Sequence, residues 1–161
     1  FQNMIPTGKY DNDKILTPGS NFYSLDPYWA ATVFLGPKVE ASWRLHYLWN
    51  AKNDDPNNLL YPGAGDTQAG QAIHLNFASS YEVVEKMLRV GINGYYLKQF
   101  TNNEVDGNGI PDSREQVVAL GPGAMFSFSQ DDHIFVNTYF QTAVENRPSG
   151  IQANLRWTHH F

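Results

Sequence analysis

The 161-residue sequence contains no cysteine. That excludes disulfides and thiolate metal sites but fixes no compartment. Charge is also scarce: Asp, Glu, Lys and Arg make up 17 % of the chain, against about 25 % in an ordinary soluble domain. The balance is acidic, with a formal net charge of −5, which argues against a nucleic-acid-binding surface. Long apolar runs are missing. A membrane-crossing helix needs about 20 consecutive apolar residues. The longest uncharged stretches, 67–81 and 116–130, hold 15 residues each. The first is largely polar, and the second is interrupted by Gly121, Pro122 and Gly123. An initiator methionine is absent as well: the chain opens at Phe1, as expected of a processed chain or a fragment.

Aromatics are plentiful instead, at 14 %, although the mean hydropathy is only −0.45. A soluble domain would have to find core positions for all of them. A β-barrel in lipid can carry them on its outside.

The apolar pattern has period two over segments longer than soluble strands usually run. It predicts seven strands, at roughly 21–35, 38–52, 67–80, 86–101, 114–129, 132–145 and 149–161. In the last, Ile151, Ala153, Leu155, Trp157, His159 and Phe161 share one face, and Gln152, Asn154, Arg156, Thr158 and His160 the other. The second opposes Val39, Ala41, Trp43, Leu45, Tyr47 and Trp49 to Glu40, Ser42, Arg44, His46 and Asn50. Short turns are predicted at Gly36-Pro37, around Tyr81–Glu85 and at Gln130-Asp131. Long polar connections separate them at Pro6–Ser20, Ala51–Asp66 and Asn102–Ser113. Outer-membrane barrels show this asymmetry, with short periplasmic turns and long external loops.

Depth supports the same assignment. A Lys or Arg facing lipid at mid-membrane costs about 2–4 kcal/mol. By parity, the outward cations are Lys86, Lys98 and Arg114, each at or near a strand end. Tyr47, Trp49, Tyr96, Phe100, Trp157 and Phe161 fall towards the rims, where aromatic girdles belong. A soluble sandwich or lipocalin-like barrel would put the apolar face inside; strand length, rim aromatics and loop asymmetry favour the membrane. Pro27 and Pro122 lie within strands and predict bulges or local distortions, because each removes a ladder donor. The expected fold is therefore all-β, a single transmembrane antiparallel β-barrel domain over residues 1–161.

The segment Gly91-Ile92-Asn93-Gly94-Tyr95-Tyr96-Leu97-Lys98-Gln99-Phe100, followed by an acidic loop and by Ala119-Leu120-Gly121-Pro122-Gly123, carries a resemblance. So do Pro6-Thr7-Gly8-Lys9-Tyr10-Asp11, Asn21-Phe22 and Glu145-Asn146-Arg147-Pro148. Together they resemble the proteobacterial outer-membrane channel family of phenol-degradation meta-pathway proteins, over nearly the whole chain. The resemblance implies a twelve-stranded barrel of nearly twice this length, of which the chain would be the C-terminal part. Phe1–Pro6 would then end an earlier strand, and the N-terminal strands would lie outside the sequence.

The inward face is where chemistry could sit. Pairing through the turns predicts a polar belt of Asp26, Arg44, His46, His74, Arg89, Asn93, Tyr139 and Arg156, read either as a solute-selecting constriction or as a network that fills a narrow barrel. Phe22, Tyr28, Phe34, Tyr95, Leu97, Val117, Met125 and Phe135 also point inward and suit small amphipathic or aromatic solutes. No Ser falls within evident reach of both a His and a carboxylate, so no catalytic residues and no enzymatic activity are expected. No cofactor is expected either. The spacing of Asp106, Asn108, Asp112 and Glu115 matches part of a calcium loop but lacks the fuller EF-hand pattern; an acidic external loop is the reading adopted, with no metal site. The expected partners are outer-membrane lipid and small-molecule solutes, with no nucleic acid, and the complete barrel is expected to be monomeric. The expected function is passive uptake of small molecules. The alternatives are a closed structural or adhesive barrel acting through its external loops, and a lipid-modifying enzyme.

Overall fold

The computed structural model describes residues 1–161. Its elements are all strands: β1 (Gln2–Met4), β2 (Ser24–Asp26), β3 (Tyr28–Phe34), β4 (Val39–Asn50), β5 (Lys52–Asn53), β6 (Thr67–Gln68), β7 (Ala72–Val84), β8 (Leu88–Gln99), β9 (Glu104–Val105), β10 (Asn108–Gly109), β11 (Gln116–Ser127), β12 (Asp132–Glu145) and β13 (Ile151–His159). A nine-stranded antiparallel sheet takes the order β1-β2-β4-β7-β8-β11-β12-β13, with β3 paired to β4. Its two ends are β1 and β13. The chain groups into two compact units, one of Phe1–Tyr28, His46–His74 and Lys98–Glu115, the other of Trp29–Leu45, Leu75–Leu97 and Gln116–Phe161.

The long strands form where the sequence alternates, and the register holds that alternation to one face. Along β12 and β13, Ile134 faces Trp157, Val136 faces Leu155 and Phe140 faces Ile151. Between them fall the pairs Phe135–Arg156, Asn137–Asn154 and Tyr139–Gln152 on the opposite face. A slip of one residue would exchange these faces completely.

Burial runs opposite to that of a soluble core. The only buried apolar residues are Ala72, Val117 and Ala119, whereas Ser24, Asp26, His46, Asn50, Asn53, Asn93 and Gln99 are all buried. Trp29 is 61 % exposed, Trp157 68 % and Leu155 77 %. A large apolar side chain left in water forgoes about 1.5–3 kcal/mol of burial. Lipid against the outer face removes that loss.

Four expectations change. The third long strand, β7, runs to Val84 rather than 80, held by Glu82 N–H donating to Lys38 O at 2.8 Å. The turn is accordingly at 85–87. Lys86 sits in it with φ +57°, off the lipid face, and its N–H donates to Glu82 Oε1 at 2.8 Å. Pro27 makes no bulge. Leu25 pairs with Trp49 and Tyr47 N–H donates to Pro27 O at 3.1 Å, so pairing keeps step; only the strand is interrupted, between β2 and β3. Pro122 also leaves the register intact, from Leu120–Phe140 to Gly123–Asn137. The shift lies instead between Gln116 and Val118. There β12 holds one residue more than β11 between paired positions, and Ala143 takes φ +47°. Gln116 Nε2 donates to the Ala143 carbonyl at 3.3 Å.

The long connections are also more ordered than loops. β5, β6, β9 and β10 form a separate four-stranded sheet, order β10-β9-β6-β5, through the pairs Lys52–Gln68, Thr67–Val105 and Val105–Asn108. Lys52 Nζ reaches Asp66 Oδ2 at 2.8 Å, and this bond holds the ammonium above its usual pKa. The first connection joins the second through Asn12 Nδ2 to Asp55 Oδ1 at 2.6 Å and Asn57 Nδ2 to the Lys14 carbonyl at 2.6 Å.

Candidate functional site

The eight inward residues predicted from the sequence do not form one cluster. Asp26 on β2, His46 on β4 and His74 on β7 come together, on three strands adjacent in the sheet. Asp26 Oδ1 lies 2.9 Å from His46 Nδ1 and 3.6 Å from His74 Nε2. The two imidazoles stack at 4.0 Å with 17° between planes, and Tyr28 flanks His46 at 5.1 Å. Alternation turns all three inward.

Arg44, Asn93, Tyr139 and Arg156 line a separate groove, with Asn76, Asn137 and Asn154. Phe135 contributes its ring to the same wall, whereas Trp43, Phe77 and Leu155 belong by alternation to the opposite face. Arg156 lies over the Phe135 ring at 4.4 Å, a cation–π contact that holds the guanidinium against the wall. Tyr139 packs on Tyr95 at 5.4 Å, and Tyr95 OH accepts from Gln141 Nε2. The groove is mixed, with cationic, amide and aromatic groups interleaved.

Arg89 belongs to neither group. Its Nη2 lies 3.3 Å from Glu40 Oε2 and its Nε donates to Ser80 Oγ at 3.1 Å. That ion pair ties β4, β7 and β8 together.

Asn93 has a role that the sequence does not reveal. In the β11–β12 ladder, Phe128 N–H donates to Asp132 O, and alternation along the register makes Pro122–Thr138 a hydrogen-bonded position. Pro122 has no N–H to give. Asn93 Nδ2 donates to Thr138 O instead, at 3.0 Å. The reach is possible only because Gly121 and Gly123 lack side chains. A Cβ on Gly121 would meet Thr138 O at 2.1 Å, and one on Gly123 would meet Asn93 Oδ1 at 2.3 Å.

Two other expectations meet the structure differently. Asp106 Oδ1 accepts from Gly65 N–H at 2.7 Å and Asp66 N–H at 3.0 Å. It anchors one connection to another, and Asp106, Asp112 and Glu115 do not converge as a ligand group. A Ser–His contact absent from the sequence reading does exist: Ser127 Oγ lies 2.8 Å from His133 Nδ1, because the register pairs the two directly. The neighbouring carboxylate, Asp132, instead engages Trp157 Nε1 at 3.2 Å and His159 Nδ1 at 2.9 Å. It lies on the opposite face of β12, so it completes no triad with Ser127 and His133.

A sheet with lipid-facing aromatics and leucines outside and amides, histidines and arginines inside is the wall of a transmembrane β-barrel. A family model described as "Putative MetA-pathway of phenol degradation" matches residues 1–157, and the chain belongs to that family. A crystal structure of an outer membrane channel from Pseudomonas putida F1 matches with a TM-score of 0.84 at 24 % identity. The match covers 99 % of this chain and 57 % of that one. At this identity the likeness establishes the fold. Among functionally curated proteins none matches. The chain is a bacterial outer-membrane β-barrel protein.

Proposed function

We propose that the chain forms much of the wall of a channel for passive uptake of small molecules, hydrophobic and aromatic compounds among them. The reading takes residues 1–161 as one membrane domain whose barrel includes strands beyond them. It has support in the match to 57 % of the Pseudomonas putida F1 outer membrane channel. The observation that carries it is the mixed groove lined by Arg44, Asn93 and Arg156 together with the rings of Phe135 and Tyr139. A pore for inorganic ions alone has no use for the aromatic part. The arginines set the charge of a constriction, and the aromatic surface offers weak contacts along which an amphipathic solute can slide. No step of this mechanism makes or breaks a covalent bond, and the barrel acts as a monomer.

The test is planar-bilayer recording of the intact protein and of Arg44→Gln and Arg156→Gln. The expected result is altered conductance or ion selectivity in both variants. Conductance identical to the parent in both would make these residues structural. The external four-stranded sheet favours a second reading, a closed barrel acting through its external surface. A sealed lumen would give no conductance steps.

A further inference from the structure

We propose that Asp26, His46 and His74 form a reversible binding site for a divalent transition metal of the zinc class on the inner face of the sheet. Two imidazoles and one carboxylate are the ligand types such ions take. The fit is geometric. One ligand atom from each residue lies within 4.8 Å of the others, and Asp26 Oδ1 is 2.9 Å from His46 Nδ1 and 3.6 Å from His74 Nε2. Metal–ligand bonds of about 2.0–2.2 Å place neighbouring ligands about 3.0–3.5 Å apart, close to the two separations from Asp26.

The support is rigid. The ligands come from β2, β4 and β7, which are hydrogen-bonded neighbours, so none depends on a mobile loop. Asp26 and His46 are buried, at 7 % and 4 % exposure, while His74 keeps enough exposure to admit an ion. The hydrogen bonds around His46 are incomplete: its Nε2 is buried without a partner. Coordination through His46 Nδ1 would take place with the imidazole neutral and its one proton on Nε2. Occupancy would join three strands through one ion and place positive charge on the inner wall. The site does not depend on whether the barrel conducts.

The experiment uses the intact protein, untagged and in detergent, titrated with cobalt(II) as a spectroscopic probe and then with zinc. The expected result is a saturable visible absorption band at one cobalt per chain, displaced by zinc. His74→Ala, the most exposed of the three, should weaken binding by more than the tenfold to hundredfold that loss of an outer-shell partner typically causes, and Asp26→Asn should weaken it too. His133→Ala should bind as the parent does. Heat-modifiable gel migration confirms that each variant is folded. Absence of a saturable band in the parent overturns the proposal, as does a band unchanged in folded His74→Ala and Asp26→Asn.

Discussion

Asn93 Nδ2 donates to the Thr138 carbonyl across an intervening strand, at 3.0 Å. The acceptor is the one that Pro122 leaves without its ladder donor, so a side chain two strands away completes the sheet. This explains why an amide is buried at 6 % exposure in a wall whose inner face could hold water. It also makes Asn93 a member of the sheet as much as of the groove.

Asn93→Ala should destabilise the folded barrel by about 1–3 kcal/mol, the range for an orphaned buried acceptor. Pro122→Ala restores the missing N–H, so in the Asn93→Ala background it should recover much of that loss. Urea titrations of the single and double variants in lipid vesicles give the coupling. Additive effects would dissociate the two residues.

Gly121→Ala and Gly123→Ala should each destabilise by about 1–3 kcal/mol, as overpacking does, because the added Cβ would collide with Thr138 O and with Asn93 Oδ1 respectively. Gly36→Ala is the comparison for a glycine needed for its backbone. Its φ is +83° with open space around it, so only conformational strain of about 1–2 kcal/mol applies. If Gly123→Ala loses less stability in Asn93→Ala, part of the clash is with that side chain, the rest being with Asn137 Oδ1 at 2.5 Å.

Val136→Arg tests which face meets lipid. Val136 is 47 % exposed and lies well inside β12. The substitution should cost about 2–4 kcal/mol of folding free energy in bilayers, whereas Gln152→Arg on the inward face should cost far less. Equal effects would contradict the assignment of faces.

Ala143→Gly should stabilise the fold. Ala143 holds φ +47° at the β12 bulge, a conformation that costs a side-chain-bearing residue about 1–2 kcal/mol. Part of that gain is offset by glycine's greater freedom when unfolded, leaving a net increase of roughly 0.5–1 kcal/mol. A decrease would mean that the Ala143 methyl group makes contacts worth more than the strain.

The faces were legible in the sequence because alternation alone determines them. The bounds of β12 at 132 and 145 agree with the reading from sequence. β7 was misplaced because Tyr81 and Val83 look like turn-flanking residues until the Glu82–Lys38 bond is seen. The external sheet escaped notice because strands of two residues, such as Lys52–Asn53 and Thr67–Gln68, carry no periodicity. Ser127 and His133 meet only through a cross-strand register, and the partners of Asn93 depend on a hydrogen bond that Pro122 fails to make. Such pairings are tertiary facts. In the inward cluster, parity brought Asp26 and His46 to one face and one level, but the stack with His74 required the third strand's register.

The four-stranded sheet also changes how the cell's surroundings would meet this protein. A protease needs a segment that can be drawn out of its hydrogen bonds into an active-site cleft. The pairing of 52–53, 67–68, 104–105 and 108–109 denies it much of the second and third long connections. Cleavage on intact cells should therefore concentrate in the unpaired stretch around Gly63, whose backbone has open space, and leave the Asp106 anchor intact. A protein exposed to secreted hydrolases would keep its outer surface assembled even after being nicked.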